Sequence, residues 1–226
     1  MSYCPPNPEE SWLMGGVMSV LQTGIDVQLG YWAGEDELSH DDGSSNRWQL
    51  RWVDGGRAVL TGFDVDYSTE RELDELLQGA PDWLPLRWSG LTDRIAFCYW
   101  WESGAGAWDC APVEDDRGVG ITDSLDRVES LLTDRVMERI PEPEDEDDEE
   151  VDEDAYLDEF TRKLEELVEA AREQRLTERE LAPVLGFLEE PGRLNLADAL
   201  DNARDAGFTP GSSRPWERPA PSVHVN

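Results

Sequence analysis

From Ile25 the chain alternates, with Ile25, Val27, Leu29 and Tyr31 on one side of an extended segment, the period of a half-buried strand. A polar, acidic loop follows from Ala33 to Asn46 and carries His40, Asp41, Asp42 and Gly43 in a row. Trp48, Leu50 and Trp52 then alternate up to Asp54-Gly55-Gly56, and Ala58 to Asp66 returns with β-branched and aromatic residues. Two such runs around a glycine turn predict a β-hairpin. Upstream, the apolar stretch Trp12 to Leu21 reads as core, because it is too short and too glycine-rich to span a bilayer.

Thr69 and Glu72 have the spacing of a capping box, Leu73, Leu76 and Leu77 form an apolar stripe, and Gly79 stops the helix so predicted. Pro81 and Pro85 frame Asp82-Trp83-Leu84. A second β region begins at Leu86-Arg87-Trp88, breaks at Ser89 to Asp93 and resumes from Arg94 to Trp101. Ser103 to Gly106 reverses the chain and Ala107 to Pro112 returns. A turn centred on Gly104 sets Trp100 opposite Trp108 and Cys98 opposite Cys110, four side chains on one wall of a core. A cross-strand disulfide is the lesser reading of that pair. Leu50-Arg51-Trp52 with Arg57 to Leu60 echoes Leu86-Arg87-Trp88 with Arg94 to Phe97, as a duplicated β-β-α unit would.

Leu125, Val128, Leu131, Leu132 and Val136 make a broad helical face that ends at Pro141. Residues 1–140 therefore read as an α+β domain, a mostly antiparallel sheet of about five to six strands with helices on one face. Residues 141–154 are an acidic linker held extended by like charges. A small helical region, residues 155–208, follows. Tyr156, Phe160, Leu164, Leu167 and Ala171 line its first helix. Thr177 and Glu180 box its second, which contains Pro183, and Asn195 caps its third ahead of Leu196, Ala199, Leu200 and Ala203. Gly207-Phe208 is a helix terminator. Three helices of about 50 residues in all are marginal alone, so they pack back on the main domain, form a homodimer, or bind a partner. Residues 209–226 are a Pro/Ser-rich tail in which Arg214 and Arg218 flank Trp216, within reach of the acidic body.

Composition narrows the function. Among 226 residues, 52 Asp and Glu against 19 Lys and Arg leave a net charge of -33, a field that repels phosphate and excludes direct, non-specific nucleic-acid binding. With 38% hydrophobic residues and ten Trp the chain has material for a core. The basic residues are eighteen Arg and one Lys, Lys163, a bias of GC-rich bacterial coding or of salt adaptation. Glu142 to Asp154 holds eleven acidic residues and no basic one, and the remainder still carries -22. No span long enough for a bilayer and no basic leader before the first apolar run are visible, and the cysteines, Cys4, Cys98 and Cys110, are odd in number. A membrane partner is not expected, and a reducing, cytoplasmic setting is.

Catalytic designs find little material. His40 beside Asp41 reads as a solvated loop histidine, and His224 lies in the tail. Gly104 to Gly106 and Gly118 to Gly120 lack the lysine and the helix of a phosphate loop. The acidic run lacks the glycine of a calcium loop. No catalytic residue, cofactor or metal ligand is assigned. What stands out is tryptophan set among carboxylates: Trp32, Glu35, Asp36, Asp41, Asp42, Asp64, Asp66 and Trp83. That chemistry suits a basic protein surface. The leading expectation is a non-enzymatic acidic binding protein of the immunity or inhibitor kind that captures a basic protein. The alternatives are a carboxylate enzyme, with a divalent metal, built on Asp41, Asp42, Asp64 and Asp66, or an accessory protein whose acidity only keeps it hydrated.

Overall fold

A computed structural model of the chain describes residues 5–25, 27–65, 69–84, 95–112, 130–140 and 151–218. The apolar N-terminal stretch is a long helix, α1 (Pro8–Ile25). Pro8 occupies the first turn, where its missing N–H costs nothing, and the Asn7 side chain accepts from the Glu9 N–H at 2.8 Å. Apolar residues surround α1 on most sides, which marks a helix packed between layers. Its glycines permit that. A Cβ on Gly15 would sit 2.7 Å from Leu38 in the sheet, and one on Gly16 would sit 2.6 Å from Phe208 in the helical layer. The alternation starting at Ile25 is therefore the end of α1 and a connector, and the first strand begins only at Tyr31.

The sheet has six strands: β1 (Tyr31–Ala33), β2 (Glu37–Asp41), β3 (Arg47–Val53), β4 (Arg57–Phe63), β5 (Phe97–Glu102) and β6 (Trp108–Cys110). They are hydrogen-bonded in chain order, and every neighbouring pair is antiparallel. With the C-terminal helices, the fold is of the α+β class expected. The hairpin at Asp54-Gly55-Gly56 is present, with Gly55 and Gly56 at φ 86° and 70°, a conformation that only glycine adopts without strain. The loop expected over 33–46 instead contains β2. Leu38 and His40 alternate inward, and the two-residue period is easily missed in so short and acidic a strand. His40 is 5% exposed and lies between Tyr31 and Trp48, its ring 4.4 Å and 5.7 Å from theirs, not in a solvated loop.

The β5–β6 register differs by one residue from the expected one. Trp101 faces Trp108 and Tyr99 faces Cys110, because Ala105 N–H closes the turn on Glu102 C=O at 2.8 Å, moving its centre past Gly104. A slip of one residue sends alternate side chains to the other face. Cys98 accordingly packs with Val59 and Trp100 on one side while Cys110 packs with the main core on the other, and neither forms a disulfide.

The helix expected from Thr69 is only α2 (Leu73–Leu76), without side-chain capping. Arg71 N–H donates to Ile95 C=O at 3.0 Å, which ties this segment to the chain entering β5. Residues 130–137 are helical (α3), with Leu132 and Val136 buried and Leu131 exposed. Cys4, Asp66, Leu86 to Trp88, the helical face at Leu125 and Val128, Glu142 to Glu150 and His224 lie outside the described residues. Leu86 to Trp88 and Arg94, which carry part of the echo between the two β regions, are among the residues not described.

Beyond the acidic run come α4 (Glu153–Arg172), α5 (Glu178–Leu188) and α6 (Leu196–Asp205). The run's own end starts α4: Asp152 accepts from Ala155 N–H at 3.1 Å, and Glu153 and Asp154 lie at the positive end of the helix dipole. Thr177 and Glu180 form the capping box of α5, which accommodates Pro183. The hydrogen bond from Thr177 to Glu180 holds that carboxyl below its usual range. At the end of α6, Gly207 turns at φ 84° and Phe208 N–H returns to Ala203 C=O at 2.9 Å. Phe208 is thereby aimed at α1, and its side chain is 1% exposed.

One continuous apolar core runs from the sheet through α1 to α4, α5 and α6, joining Leu50, Trp12, Leu185 and Phe208. The C-terminal helices thus pack back on α1. Arg135 of α3 ties in through Glu189 at 2.7 Å and the Leu188 carbonyl at 2.8 Å. Past Phe208 the chain follows the body as far as Arg218. Trp216 lies 5.1 Å from Trp52, and Gly55 N–H donates to Arg218 C=O at 3.1 Å. Among the described residues no helix is long and apolar enough to cross a membrane.

Candidate functional site

Antiparallel pairing sorts the strand residues into two faces. Leu38, His40, Trp48, Leu50, Trp52, Ala58 and Leu60 turn toward α1. The other face carries Trp32, Ser39, Gln49 and Thr61 as one row across β1 to β4, with Asp41 and Arg47 as the next pair. Half of this outer face is covered. Leu76 and Leu84, with Trp83 and Leu77 beside them, pack there over Val59, Cys98 and Trp100 as a small second core. The half over β1 to β4 is an open groove of about 240 Å³, with Trp32 and Ile95 among its lining residues.

The residues singled out from sequence divide between two ends of the sheet. Glu35 and Asp36 form the β1–β2 turn. Arg218 lies 3.8 Å from the Glu35 carboxylate and donates to its carbonyl at 2.9 Å, while Arg51 lies 3.8 Å from Asp36. Asp41 and Asp42 are at the far end of β2, about 13 Å away along the strand. Asp42 accepts from Ser44 N–H at 2.7 Å and Asn46 N–H at 3.1 Å, so its carboxylate closes the β2–β3 loop. Asp41 accepts from Gly43 N–H at 2.8 Å. Asp64 is 5% exposed just beyond β4, and Val65 N–H, its neighbour, donates to Asn46 at 2.9 Å. Trp83 bonds to Glu102 through its indole N–H and lies under the Arg57 guanidinium at 5.0 Å.

Only Trp32 of that set is substantially exposed among the large apolar residues, at 43%. It shares the groove with Asp41 and with residues that sequence reasoning passed over: Arg47, Gln49, Ser39 and Thr61. The signal for two of them was present, because Arg47 and Gln49 alternate with Trp48 and Leu50. Recognising it requires knowing that β2 supplies the next strand. Among the described residues no group of three or more His, Cys, Asp or Glu is arranged to hold a metal ion.

Part of the helical layer's charge is paired. Along α4, Arg162 pairs with Glu159 and Glu166, Lys163 with Glu166, and Arg172 with Glu169 and with Glu10 of α1. Across residues 69–84 the only basic residue is Arg71. Glu72, Asp74, Glu75 and Asp82 are exposed there and make no ion pair among the described residues. These four carboxylates belong to the segment that builds the second core, on the face that also carries the Trp32 groove. No protein-family model matches the chain, and neither curated proteins nor solved structures contain a match to it.

Proposed function

We propose that this protein is a non-enzymatic acidic binding protein that captures a basic protein, in the manner of an immunity or inhibitor protein, and that it does so with the outer face of its sheet. The observation carrying this reading is the set of exposed carboxylates Glu72, Asp74, Glu75 and Asp82, which make no ion pair among the described residues and belong to the segment packed on the sheet face that carries an exposed Trp32. On α4, Glu159, Glu166 and Glu169 pair with basic residues, while Asp154, Asp158 and Glu165 make no ion pair among the described residues. Glu72, Asp74, Glu75 and Asp82 differ from these in belonging to the segment packed on the sheet face that carries Trp32. Such carboxylates and an exposed indole on one face of the sheet supply both long-range steering and an apolar anchor. The committed carboxylates of Asp41 and Asp42, held by loop N–H groups, favour this reading over a carboxylate enzyme.

The test is capture from lysate of the native organism with graded salt washes. Three baits are compared: the wild type, E72Q/D74N/E75Q/D82N, and D154N/D158N/E165Q/E178Q, which removes the same charge from the helical layer. The reading expects one stoichiometric basic protein on the wild type and the helical-layer variant, and its loss from the α2-edge variant. Equal weakening of both variants, or capture only of many basic proteins at low salt, means that net charge alone is acting.

A further inference from the structure

The groove beneath Trp32 contains chemistry that a basic partner does not explain. Arg47 lies half-buried in its floor, its Nε is buried without a hydrogen-bond partner, and its guanidinium makes no ion pair among the described residues. Other arginines have found carboxylates, as Arg135, Arg162, Arg172 and Arg204 show. In a chain with 52 acidic residues, a guanidinium left with a buried, unsatisfied donor at the base of a groove is conspicuous. We propose that this groove binds a small carboxylate whose flat apolar body lies against Trp32. The site stands independently of the basic-partner reading.

Each part of the ligand follows from a wall. A planar guanidinium offers paired N–H donors that match the two oxygens of a carboxylate. Asp41, the cross-strand neighbour of Arg47, is not within ion-pair distance of it, and its own carboxylate is held by the Gly43 N–H. Its charge nevertheless stands at the edge of the groove, which favours a monoanionic head over a dianionic phosphate. Trp32, 43% exposed on the wall of the groove, offers its face to an aromatic ring. Ser39, Gln49 and Thr61 form a row of hydroxyl and amide groups along the floor, suited to polar substituents on that ring. The volume, about 240 Å³, is below the roughly 300–1,000 Å³ of drug-sized sites and restricts the ligand to about one ring.

The experiment is calorimetric titration of the full chain with benzoate, with its neutral isostere benzamide, and with inorganic phosphate. The proposal expects saturable benzoate binding with a Kd on the order of 1 mM or tighter, and benzamide and phosphate at least about tenfold weaker. Arg47→Gln should weaken benzoate by about tenfold or more and leave benzamide unchanged, with Arg47→Lys in between. Trp32→Ala should weaken both aromatic probes. Arg51→Gln, which removes a guanidinium engaged with Asp36, should change neither, and an unchanged melting curve verifies that each variant folds. Equal binding of benzoate and benzamide, no saturable benzoate binding, or benzoate binding indifferent to Arg47 overturns the site. Tighter phosphate than benzoate overturns the carboxylate assignment.

Discussion

Replacing Gly16 by alanine tests how the C-terminal helices are held. The added methyl would lie 2.6 Å from Cζ and 2.8 Å from Cε2 of Phe208. Carbon atoms in ordinary contact are about 3.5–4.0 Å apart, so the ring would have to retreat by about 1 Å. It has little freedom to do so. Its backbone is held by N–H to Ala203 C=O at 2.9 Å and by C=O to Leu176 N–H at 3.1 Å, and its side chain is enclosed. Overpacking of this kind costs about 1–3 kcal/mol, against a gain of about 0.8–1 kcal/mol from removing glycine from a helix interior. Gly186 of α5 supplies the control, since a Cβ there meets nothing within 4 Å. Gly186→Ala should be neutral to stabilising by up to about 1 kcal/mol. The difference between the two variants largely cancels the propensity gain and leaves the overpacking, about 1–3 kcal/mol. Urea unfolding measures it, and the thermal midpoints should separate by roughly 2–4 °C per kcal/mol. Phe208→Leu in the Gly16→Ala background should recover part of the loss. If Gly16→Ala stabilises as much as Gly186→Ala, Phe208 is not packed on α1, and the single core described here would be falsified.

Further outcomes follow from the same structure. Cys98 and Cys110 lie on opposite faces of β5 and β6, so mild oxidation should not join them; a Cys98–Cys110 disulfide in the peptide map contradicts the register. The Glu189 carboxyl is held below its ordinary 4.5 by the Glu190 N–H, then by Arg135, Arg193 and Arg139. Its folded value is the lower one, so its contribution is fully present above pH 4.5 and is lost as pH falls through the depressed value. Glu189→Gln should therefore be less stable than the wild type at neutral pH and approach it below pH 4.5; a constant difference across that range refutes the linkage. Trp216→Ala removes the contact with Trp52 and should cost about 0.5–1.5 kcal/mol beyond the apolar area lost, whereas a detached tail predicts no change in unfolding midpoint.

Much of the fold can be read from periodicity, and the failures have identifiable causes. The β3–β4 hairpin is legible because Trp48, Leu50 and Trp52 alternate into a glycine turn, and α5 because Thr177 and Glu180 make their box. By contrast, α1 is nearly apolar around its circumference and so lacks the one-sided stripe that marks a helix; the stretch reads only as core, and Gly15 and Gly16 are there for close packing. In β2 the acidic flanks of Leu38 and His40 obscure two inward positions. The Thr69–Glu72 spacing is a local signal overridden by a tertiary one, the Arg71–Ile95 pairing. Of the site, Trp32 is legible as a tryptophan among acids. Arg47 is not, because its significance is the absence of a carboxylate within reach, a property of the register and not of neighbours in sequence.

The central claim is that the outer face of the sheet receives a basic protein. Hydroxyl-radical footprinting of the captured complex, compared with the protein alone, tests it residue by residue. Protection of Trp32 together with residues 69–84, and unchanged labelling of the exposed faces of α4 and α5, is the predicted result. Protection on α4 and α5 with Trp32 as reactive as before would contradict it and move the binding surface to the helical layer.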